Sequence, residues 1–527
     1  MSYHQRMIYL LQAIACVESE PPPSASSEPT VDWEADADTD ADTDADTDAD
    51  TDTDTDTDAD PVWVAPSDPA LRYIGRWDHS DPDAPHVGWQ GASIVLGFEG
   101  TAVRAVLDPG TRTEYFRAII DGDPDTTVHV ELSPGVETVT VAEGLSDEAH
   151  TLELVKETYI WDDVVFRGLE VDGVLTEAPP AAERRLVFYG DSNLAGYSLS
   201  HEENNSGAAF IGSHFGLAGI TARMFGAEYH NVSVSGETIS GLNQLMDQID
   251  WYDNDGLWDF TQFPADAVII NLGANDVGKP EAVIRANYEA LLDDVRLHHP
   301  DAHIVLFNGW GWDANEPANY TAEVGANYGD DNLSVATFPW VFEQWHGCEY
   351  DHAGMAVILA EHLSAQLGWE AGEPDVMSGY GVDGGVANGS FESVAPFGGY
   401  GWRYFQDAGV SRVSDGTAHD GATHVVLEQG AEIHQPNPAV AGQTVTATVW
   451  LRGASGGEQV ELTIDFRDQT MWTEPLGVTT ETVTLTADWT AATITAQAPD
   501  GDVFHTRLTV TAASGVASVD SVSMLTK

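Results

Sequence analysis

Several small or polar residues follow apolar runs in the middle of the chain, and together they provide the groups that acyl transfer requires. Ser192 lies in Gly-Asp-Ser-Asn directly after the run "RLVFYG", while Gly236 and Asn275 follow the runs "VSVS" and "VIINL". Acyl transfer needs a nucleophilic oxygen, a base, and hydrogen-bond donors for the developing oxyanion. We predict Ser192 as the nucleophile and His352, just before an apolar helical run, as the base. The predicted oxyanion donors are the backbone N–H groups of Ser192 and Gly236 and the side-chain amide of Asn275.

The residue that would orient the histidine has two candidates in the sequence "HGCEYDHAG". Glu349 lies three residues before His352 and could fix its imidazole tautomer, and Asp351 is the second choice. A Ser–His dyad that uses neither carboxylate is the third alternative. His346, Cys348 and His352 also have spacings that a zinc site could use, but the sequence offers no fourth ligand nearby. We therefore predict no metal or organic cofactor at this site, while a structural calcium in either β domain stays open.

These residues can act together only if the fold brings the ends of their strands to one place, because Gly, Asp, Ser and Asn are also ordinary turn residues. Within residues 181–372, strand-like apolar runs alternate with helical patterns, which predicts a parallel sheet covered by helices. Ligands of such folds bind at the carboxyl ends of the strands. Short alternating runs in residues 67–180 and 385–527 predict an N-terminal and a C-terminal β-sandwich, with a linker at 373–384.

The first 66 residues predict export of the protein. Residues 1–16 place an apolar run after Arg6 and end at Cys16, which resembles a lipoprotein-type signal with a lipidated cysteine. Residues 17–66 are acidic, with aspartate at every second position of residues 36–60, a pattern typical of a disordered linker. We expect a protein that is secreted or anchored at the cell surface through Cys16.

The charge of the chain argues against two classes of partner. A formal net charge of −67 at pH 7 opposes binding to nucleic acid and to anionic membranes. The apolar run before Cys16 is too short to span a bilayer, so we expect membrane contact only through the lipid anchor. The chain contains two cysteines, Cys16 and Cys348, which are too few for a disulfide framework. We expect the protein to be a monomer.

The order of these blocks resembles that of the SGNH hydrolase family over about residues 185–369. Ahead of them, "YIGRWD" and "GASIVLGFEGTAVRAVLD" look like the N-terminal jelly roll of carbohydrate esterase family two. "GITARMFGAEYHNVSVSGETISG" and "FPADAVIINLGAND" are similar to the catalytic domain of the same family. The resemblance implies an α/β SGNH-hydrolase domain with a flavodoxin-like parallel sheet. It also implies Ser–His-dependent removal of O-acetyl groups from a polysaccharide such as xylan or glucomannan.

The C-terminal region is similar to carbohydrate-binding modules of families four and nine, through "NGSFES" and "IHQPNPAVAGQTVTATVWLRG". Such modules present aromatic side chains to sugars, and Trp402 and Trp472 lie in loop-like stretches of this region. Trp310 and Trp312, in "NGWGWDANEP", follow a strand of the central domain and are predicted to flank the acyl or sugar pocket. These four tryptophans are the expected substrate-binding residues.

The sequence therefore predicts a carbohydrate O-acetylesterase whose partner is an acetylated polysaccharide. One alternative is a non-catalytic carbohydrate-binding protein of the cell surface, because the block around His352 departs from the family pattern. The other is a lipase or thioesterase on the same scaffold, which a preference for longer acyl chains would reveal.

Overall fold

The computed structural model describes most of the chain after residue 60, with short gaps. The described residues are 61–159, 163–201, 207–250, 256–276, 278–309, 320–338, 346–373, 385–386, 388–392, 394–395, 398–399, 402, 408–468, 474–503 and 505–527. The signal, Cys16, nearly all of the acidic segment, and Trp310, Trp312 and Trp472 lie outside this range. Within the described part of the chain, no helix has the length and apolar character needed to span a membrane.

The N-terminal region is an antiparallel network of nine strands. They are β1 (Val62–Val64), β2 (Arg72–Ile74), β3 (His86–Val87), β4 (Ser93–Asp108), β5 (Glu114–Ile120), β6 (Val128–Leu132), β7 (Glu137–Ala142), β8 (Glu148–Lys156) and β9 (Val164–Thr176). The main path of the sheet is β1-β9-β4-β8-β5-β6, and β4 also pairs with β2 and β7. Alternating side chains of the long strands build a buried core that includes Phe98, Phe116 and Phe166. A jelly-roll arrangement of these strands stays a prediction.

The central region contains the predicted parallel sheet with helices on both faces. Its strands are β10 (Arg184–Gly190), β11 (Ala227–Ser233), β12 (Ala267–Asn271), β13 (His303–Gly309) and β14 (Leu333–Phe338). Its helices are α1 (Leu217–Met224), α2 (Ile239–Leu242), α3 (Glu281–His298), α4 (Tyr320–Tyr328) and α5 (Glu349–Leu367). Leu186 and Phe188 pack on one side of β10, and Val187 and Tyr189 pack on the other. Both faces are buried, as expected for an all-parallel sheet.

The strand order of this sheet determines where a site can form. The order is β11-β10-β12-β13-β14, with all neighbours parallel. The chain therefore reverses its direction of winding at β10, and the carboxyl ends of β10 and its neighbours border the crevice used for ligands in such folds. Ser192, Gly236 and Asn275 each follow one of these three strands.

The C-terminal region is again antiparallel. Its strands are β15 (Val394–Ala395), β16 (Gly398–Gly399), β17 (Val410–Val413), β18 (His424–Leu427), β19 (Glu432–Pro438), β20 (Thr444–Gly453), β21 (Gln459–Arg467), β22 (Gly477–Thr484), β23 (Thr490–Gln497), β24 (His505–Ser514) and β25 (Ala517–Thr526). Two sheets, β17-β18-β25-β20-β23 and β19-β24-β21-β22, contribute side chains to one hydrophobic cluster. Oη of Tyr350, in α5, lies 3.4 Å from Oδ1 of Asn437, so the C-terminal region contacts the central one.

Trp402, one of the two tryptophans predicted to bind sugar in the C-terminal region, corrects one prediction. Trp402 is only 1% exposed, packs against Phe391, and donates its Nε1–H to the carbonyl oxygen of Asn388 at 3.1 Å. A tryptophan whose ring and polar atom are both used inside the core has no surface left for a sugar. The prediction that Trp402 belongs to a binding face is therefore wrong.

Candidate active site

A sharp turn after β10 presents Ser192 at the edge of the parallel sheet. An ideal Cβ on Gly190 would lie 2.5 Å from Cβ of Leu194, so only glycine allows the chain to turn this closely. The turns continue to residue 200, and the N–H of Tyr197 donates to the carbonyl oxygen of Ser192 at 3.0 Å. Ser192 is 6% exposed, so it lies almost completely buried at the carboxyl edge of the sheet.

His346 provides the imidazole that contacts this hydroxyl. Its Nε2 lies 2.8 Å from Oγ of Ser192, and its ring lies 4.4 Å from the ring of Tyr197. Burial lowers the pKa of His346 to about 3, so the imidazole is neutral at pH 7. A neutral imidazole with a proton on Nδ1 accepts a hydrogen bond from the serine hydroxyl through Nε2. The pair has the geometry that a nucleophile and its general base require.

His352, the predicted base, occupies a different position, and that prediction is wrong. His352 is fully buried inside α5, and its Nδ1 accepts a hydrogen bond from the N–H of Leu217 at 3.0 Å. Leu217 is the first residue of α1, where the N–H groups have no partner within the helix. His352 therefore accepts a hydrogen bond from the first N–H of α1 and joins α1 to α5, while His346 lies beside Ser192.

The two carboxylates considered for the triad also have other contacts. Oε1 of Glu349 accepts a hydrogen bond from Oγ of Ser200 at 3.1 Å, and burial raises the pKa of Glu349 to about 7. Oδ2 of Asp351 accepts the N–H of Cys348 at 3.0 Å and caps α5. The prediction that Glu349 orients the base depended on His352 and is wrong with it. Glu349 was predicted because it lies three residues before His352. The residue three positions before His346 is Glu343, which lies outside the described residues.

Two of the three predicted oxyanion donors, Gly236 and Asn275, lie on loops that are bonded to each other. Gly236 follows β11 with a φ of +82°, a conformation that glycine adopts without strain. Nδ2 of Asn275 donates to the carbonyl oxygen of Glu237 at 2.9 Å, which uses one of its two N–H groups. The buried carboxylate of Asp276 accepts the N–H of Ile239 at 3.1 Å and binds Nζ of Lys279 at 2.7 Å. These contacts fix the loop of Gly236 against that of Asn275.

The N-terminal region forms hydrogen bonds with segments of the central region near the site. Glu157, directly after β8, accepts hydrogen bonds from the N–H groups of Ser213 and His214, the latter at 2.9 Å. Burial alone would raise the pKa of Glu157, but Arg117 and these two N–H donors hold it below its usual value. Nε2 of Gln90 donates to the carbonyl oxygen of Ser233 at 3.0 Å, at the end of β11. The N-terminal region therefore helps to position the loop of Ser213 and the end of β11.

Two families match consecutive parts of the chain. Residues 73–180 match the family described as Carbohydrate esterase 2 N-terminal. Residues 188–343 match the GDSL-like Lipase/Acylhydrolase family. The second match includes Ser192, Gly236 and Asn275 and ends three residues before His346.

Individual relatives agree with these matches. The chain is 31% identical over 332 residues to the cellulase/esterase CelE of Acetivibrio thermocellus, covering 57% of this chain but only 40% of that protein. A family two carbohydrate esterase from Clostridium thermocellum, solved in complex with cellohexaose, is 29% identical with a TM-score of 0.53, covering 57% of this chain and 99% of that one. A family two carbohydrate esterase from Cellvibrio japonicus has a TM-score of 0.54 at 20% identity, covering 59% and 98%, and supports the fold alone.

Proposed function

We propose that this chain, which belongs to the SGNH hydrolases of carbohydrate esterase family two, is a carbohydrate O-acetylesterase. One observation carries the proposal: Nε2 of His346 lies 2.8 Å from Oγ of Ser192 at the carboxyl edge of a parallel sheet. A hydroxyl bonded to a neutral imidazole is the arrangement that makes serine a nucleophile.

In the first half of the reaction, Ser192 is acetylated. Oγ of Ser192 attacks the acetyl carbonyl carbon while Nε2 of His346 takes the hydroxyl proton. The carbonyl oxygen becomes an oxyanion, which accepts hydrogen bonds from the N–H groups of Ser192 and Gly236 and from the second N–H of Asn275. Each such donor contributes about 3 kcal/mol to the stability of the transition state. The C–O bond to the sugar then breaks, and the sugar oxygen leaves with the proton from His346.

In the second half, water releases acetate. Nε2 of His346 accepts a proton from the water molecule as its oxygen attacks the acetyl carbon of the ester on Ser192. The same donors stabilise the second oxyanion. Collapse of this intermediate breaks the bond to Oγ, and His346 returns the proton to Ser192. Burial lowers the pKa of His346, so the imidazole is neutral and free to accept a proton at the start of each step.

The substrate class is proposed from the relatives and from the C-terminal region. The matched proteins are named as a cellulase/esterase and as family two carbohydrate esterases. The two C-terminal sheets follow a sequence similar to carbohydrate-binding modules and are proposed to hold the polysaccharide, with Trp472 as an aromatic contact. Trp310 and Trp312 are proposed to flank the sugar at the site. We further propose an exported monomer anchored through Cys16, acting on acetylated xylan or glucomannan.

Acetate release from acetylated xylan and acetylated glucomannan tests this function. The full chain is compared with its Ser192→Ala variant, and 4-nitrophenyl acetate and 4-nitrophenyl octanoate serve as small esters. We expect acetate from at least one polysaccharide, with no release by the variant. Faster cleavage of the octanoate with no polysaccharide activity would favour a lipase. An inert wild-type protein that still binds the polysaccharides would favour a binding protein.

A further inference from the structure

A cluster of metal-binding side chains lies between the N-terminal and central regions, on segments without an assigned role in catalysis. His86 is in β3, Asp163 directly precedes β9, and Asp250 belongs to the central region, after α2. One ligand atom from each of these three residues lies within 4.8 Å of the others. A third carboxylate joins them, because Oδ2 of Asp78 lies 3.9 Å from Nε2 of His86.

The cluster is largely shielded from water. Asp250 is 1% exposed, and the side chains of Asp78 and Asp163 are 8% and 12% exposed. Oδ1 of Asp163 and Oδ2 of Asp250 are buried atoms that accept no hydrogen bond within the described part of the chain, although both residues have other contacts. Three carboxylates this close repel one another strongly where water is excluded. A positive ion among them would remove that repulsion.

We propose that Asp78, His86, Asp163 and Asp250 bind one divalent metal ion of the zinc class. Zn²⁺ binds imidazole nitrogen and carboxylate oxygen at about 2.0–2.2 Å, so the ligand atoms of a tetrahedral site lie about 3.4 Å apart. Nε2 of His86 lies 4.0 Å from Oδ2 of Asp163 and 3.9 Å from Oδ2 of Asp78, so small side-chain rotations would bring these atoms to that spacing. Ca²⁺ fits less well, because it takes six to eight oxygen ligands and one donor here is nitrogen.

The ion would hold the segment of Asp250 against the N-terminal strands. An ideal Cβ on Gly88 would lie 2.7 Å from Oδ1 of Asp163 and 3.1 Å from Cβ of Asp250, so the backbone passes close to both ligands. Nη1 of Arg76 donates to the carbonyl oxygens of Met246 and Gln248 in the same segment, at 2.8 and 2.7 Å.

The fixed segment is connected to the candidate active site. It follows α2, and α2 begins at Ile239, whose N–H is bonded to Asp276 beside Asn275. Metal binding would therefore stabilise the contact between the two regions and, through α2, the loop of Gly236.

Cobalt binding to the full-length chain tests the proposal, because Co²⁺ occupies zinc sites and absorbs visible light strongly when four- or five-coordinate. The protein is stripped with EDTA and titrated with Co²⁺ as wild type and as the His86→Gln and Asp250→Asn variants. His150→Gln is the matched control, since it removes another histidine of the N-terminal region that contacts an aspartate, Asp121, at 2.7 Å. The acidic segment is present in every variant, so its binding cancels in the comparison.

We expect about one tightly bound Co²⁺ per chain in the wild type and in His150→Gln. The affinity should fall at least about tenfold in His86→Gln and Asp250→Asn, because even partners outside the coordination shell typically cost that much. Zn²⁺ should raise the Tm of the wild type and the control, with EDTA reversing the rise, and the same Zn²⁺ concentration should raise the Tm of His86→Gln less.

Two results would overturn the proposal. Equal Co²⁺ affinity and spectra in the wild type and in both ligand variants would place the bound metal elsewhere, such as the acidic segment. A wild-type Tm that responds to neither Zn²⁺ nor EDTA would show that the cluster is stable without a metal. If His86→Gln does not fold, Asp250→Asn carries the same comparison, because it keeps the shape of the side chain.

Discussion

Substituting His346 and His352 one at a time distinguishes an effect on the reaction from an effect on the packing of helices. The His346→Gln variant removes the imidazole whose Nε2 lies 2.8 Å from Oγ of Ser192. The His352→Asn variant removes an imidazole but can keep an acceptor near the position of Nδ1, which accepts the N–H of Leu217 at 3.0 Å. The proposed function gives the first histidine a role in the reaction, and the second contributes to the contact between α1 and α5.

The two variants should differ in kind and in size of effect. Loss of general-base assistance in His346→Gln should lower kcat/KM by about 10²–10⁴-fold. Its free energy of unfolding should change little. His352→Asn should keep kcat/KM within about tenfold of the wild type. His352→Ala, which leaves the Leu217 N–H unpaired and buried, should lose about 1–3 kcal/mol of stability or more.

Hydrolysis of 4-nitrophenyl acetate gives kcat/KM, and urea unfolding followed by circular dichroism gives the free energy of unfolding. Each variant is assayed at a temperature where it is fully folded. A folded His352→Asn protein that loses as much activity as His346→Gln would refute the assignment. So would a His346→Gln protein with nearly wild-type activity.

Three further predictions concern His346, Asp191 and Asn275. Because burial lowers the pKa of His346 to about 3, the catalytically competent neutral imidazole should persist at low pH, and a kcat/KM profile should stay flat well below pH 6.5; an acid limb near 6.5 would contradict this. Burial raises the pKa of Asp191 to about 7, so the stability from its bound proton is complete below about pH 4 and is lost as the pH rises through 7. Asp191→Asn should avoid that loss, so its free energy of unfolding, measured with urea, should rise relative to the wild type by up to about 4 kcal/mol between pH 4 and 8. A difference between the two proteins that does not change with pH would contradict this prediction. Asn275→Ala should lower kcat about 10²–10³-fold with a smaller change in KM, measured on acetylated xylan; an effect on KM alone would place Asn275 outside the oxyanion site.

The parallel sheet and three residues at its edge could be predicted because each follows an apolar run. Where a buried strand ends is visible in sequence, and parallel strands bring their carboxyl ends to one edge regardless of the loops between them. Ser192, Gly236 and Asn275 could therefore be placed near one another from the sequence. Their roles in the reaction stay proposals.

The histidine that contacts Ser192 could not be selected in the same way. His346 lies in the segment before α5, where no periodic pattern indicates which way a side chain points. His352, in contrast, shares a helical stripe with the buried residues Met355, Leu359 and Leu363. That spacing favours a core position and could have argued against a catalytic one.

Contacts between regions were also beyond the sequence. Asp78, His86, Asp163 and Asp250 form no motif, and their cluster depends on how the N-terminal strands pack on the central sheet. Trp402 lies in a glycine-rich stretch with no periodicity, so its burial depends on strands that come later in the chain. Tertiary packing decides such positions, and local patterns do not record it.

Labelling with diethyl 4-nitrophenyl phosphate tests most directly the claim that His346 activates Ser192 as the nucleophile. This organophosphate phosphorylates activated serine hydroxyls, and peptide mass spectrometry locates the modified residue. We predict one label, on Ser192, with a rate about 10²-fold or more lower in His346→Gln and nearly unchanged in His352→Asn. A label on another residue, or equal labelling of Ser192 in all three proteins, would contradict the claim.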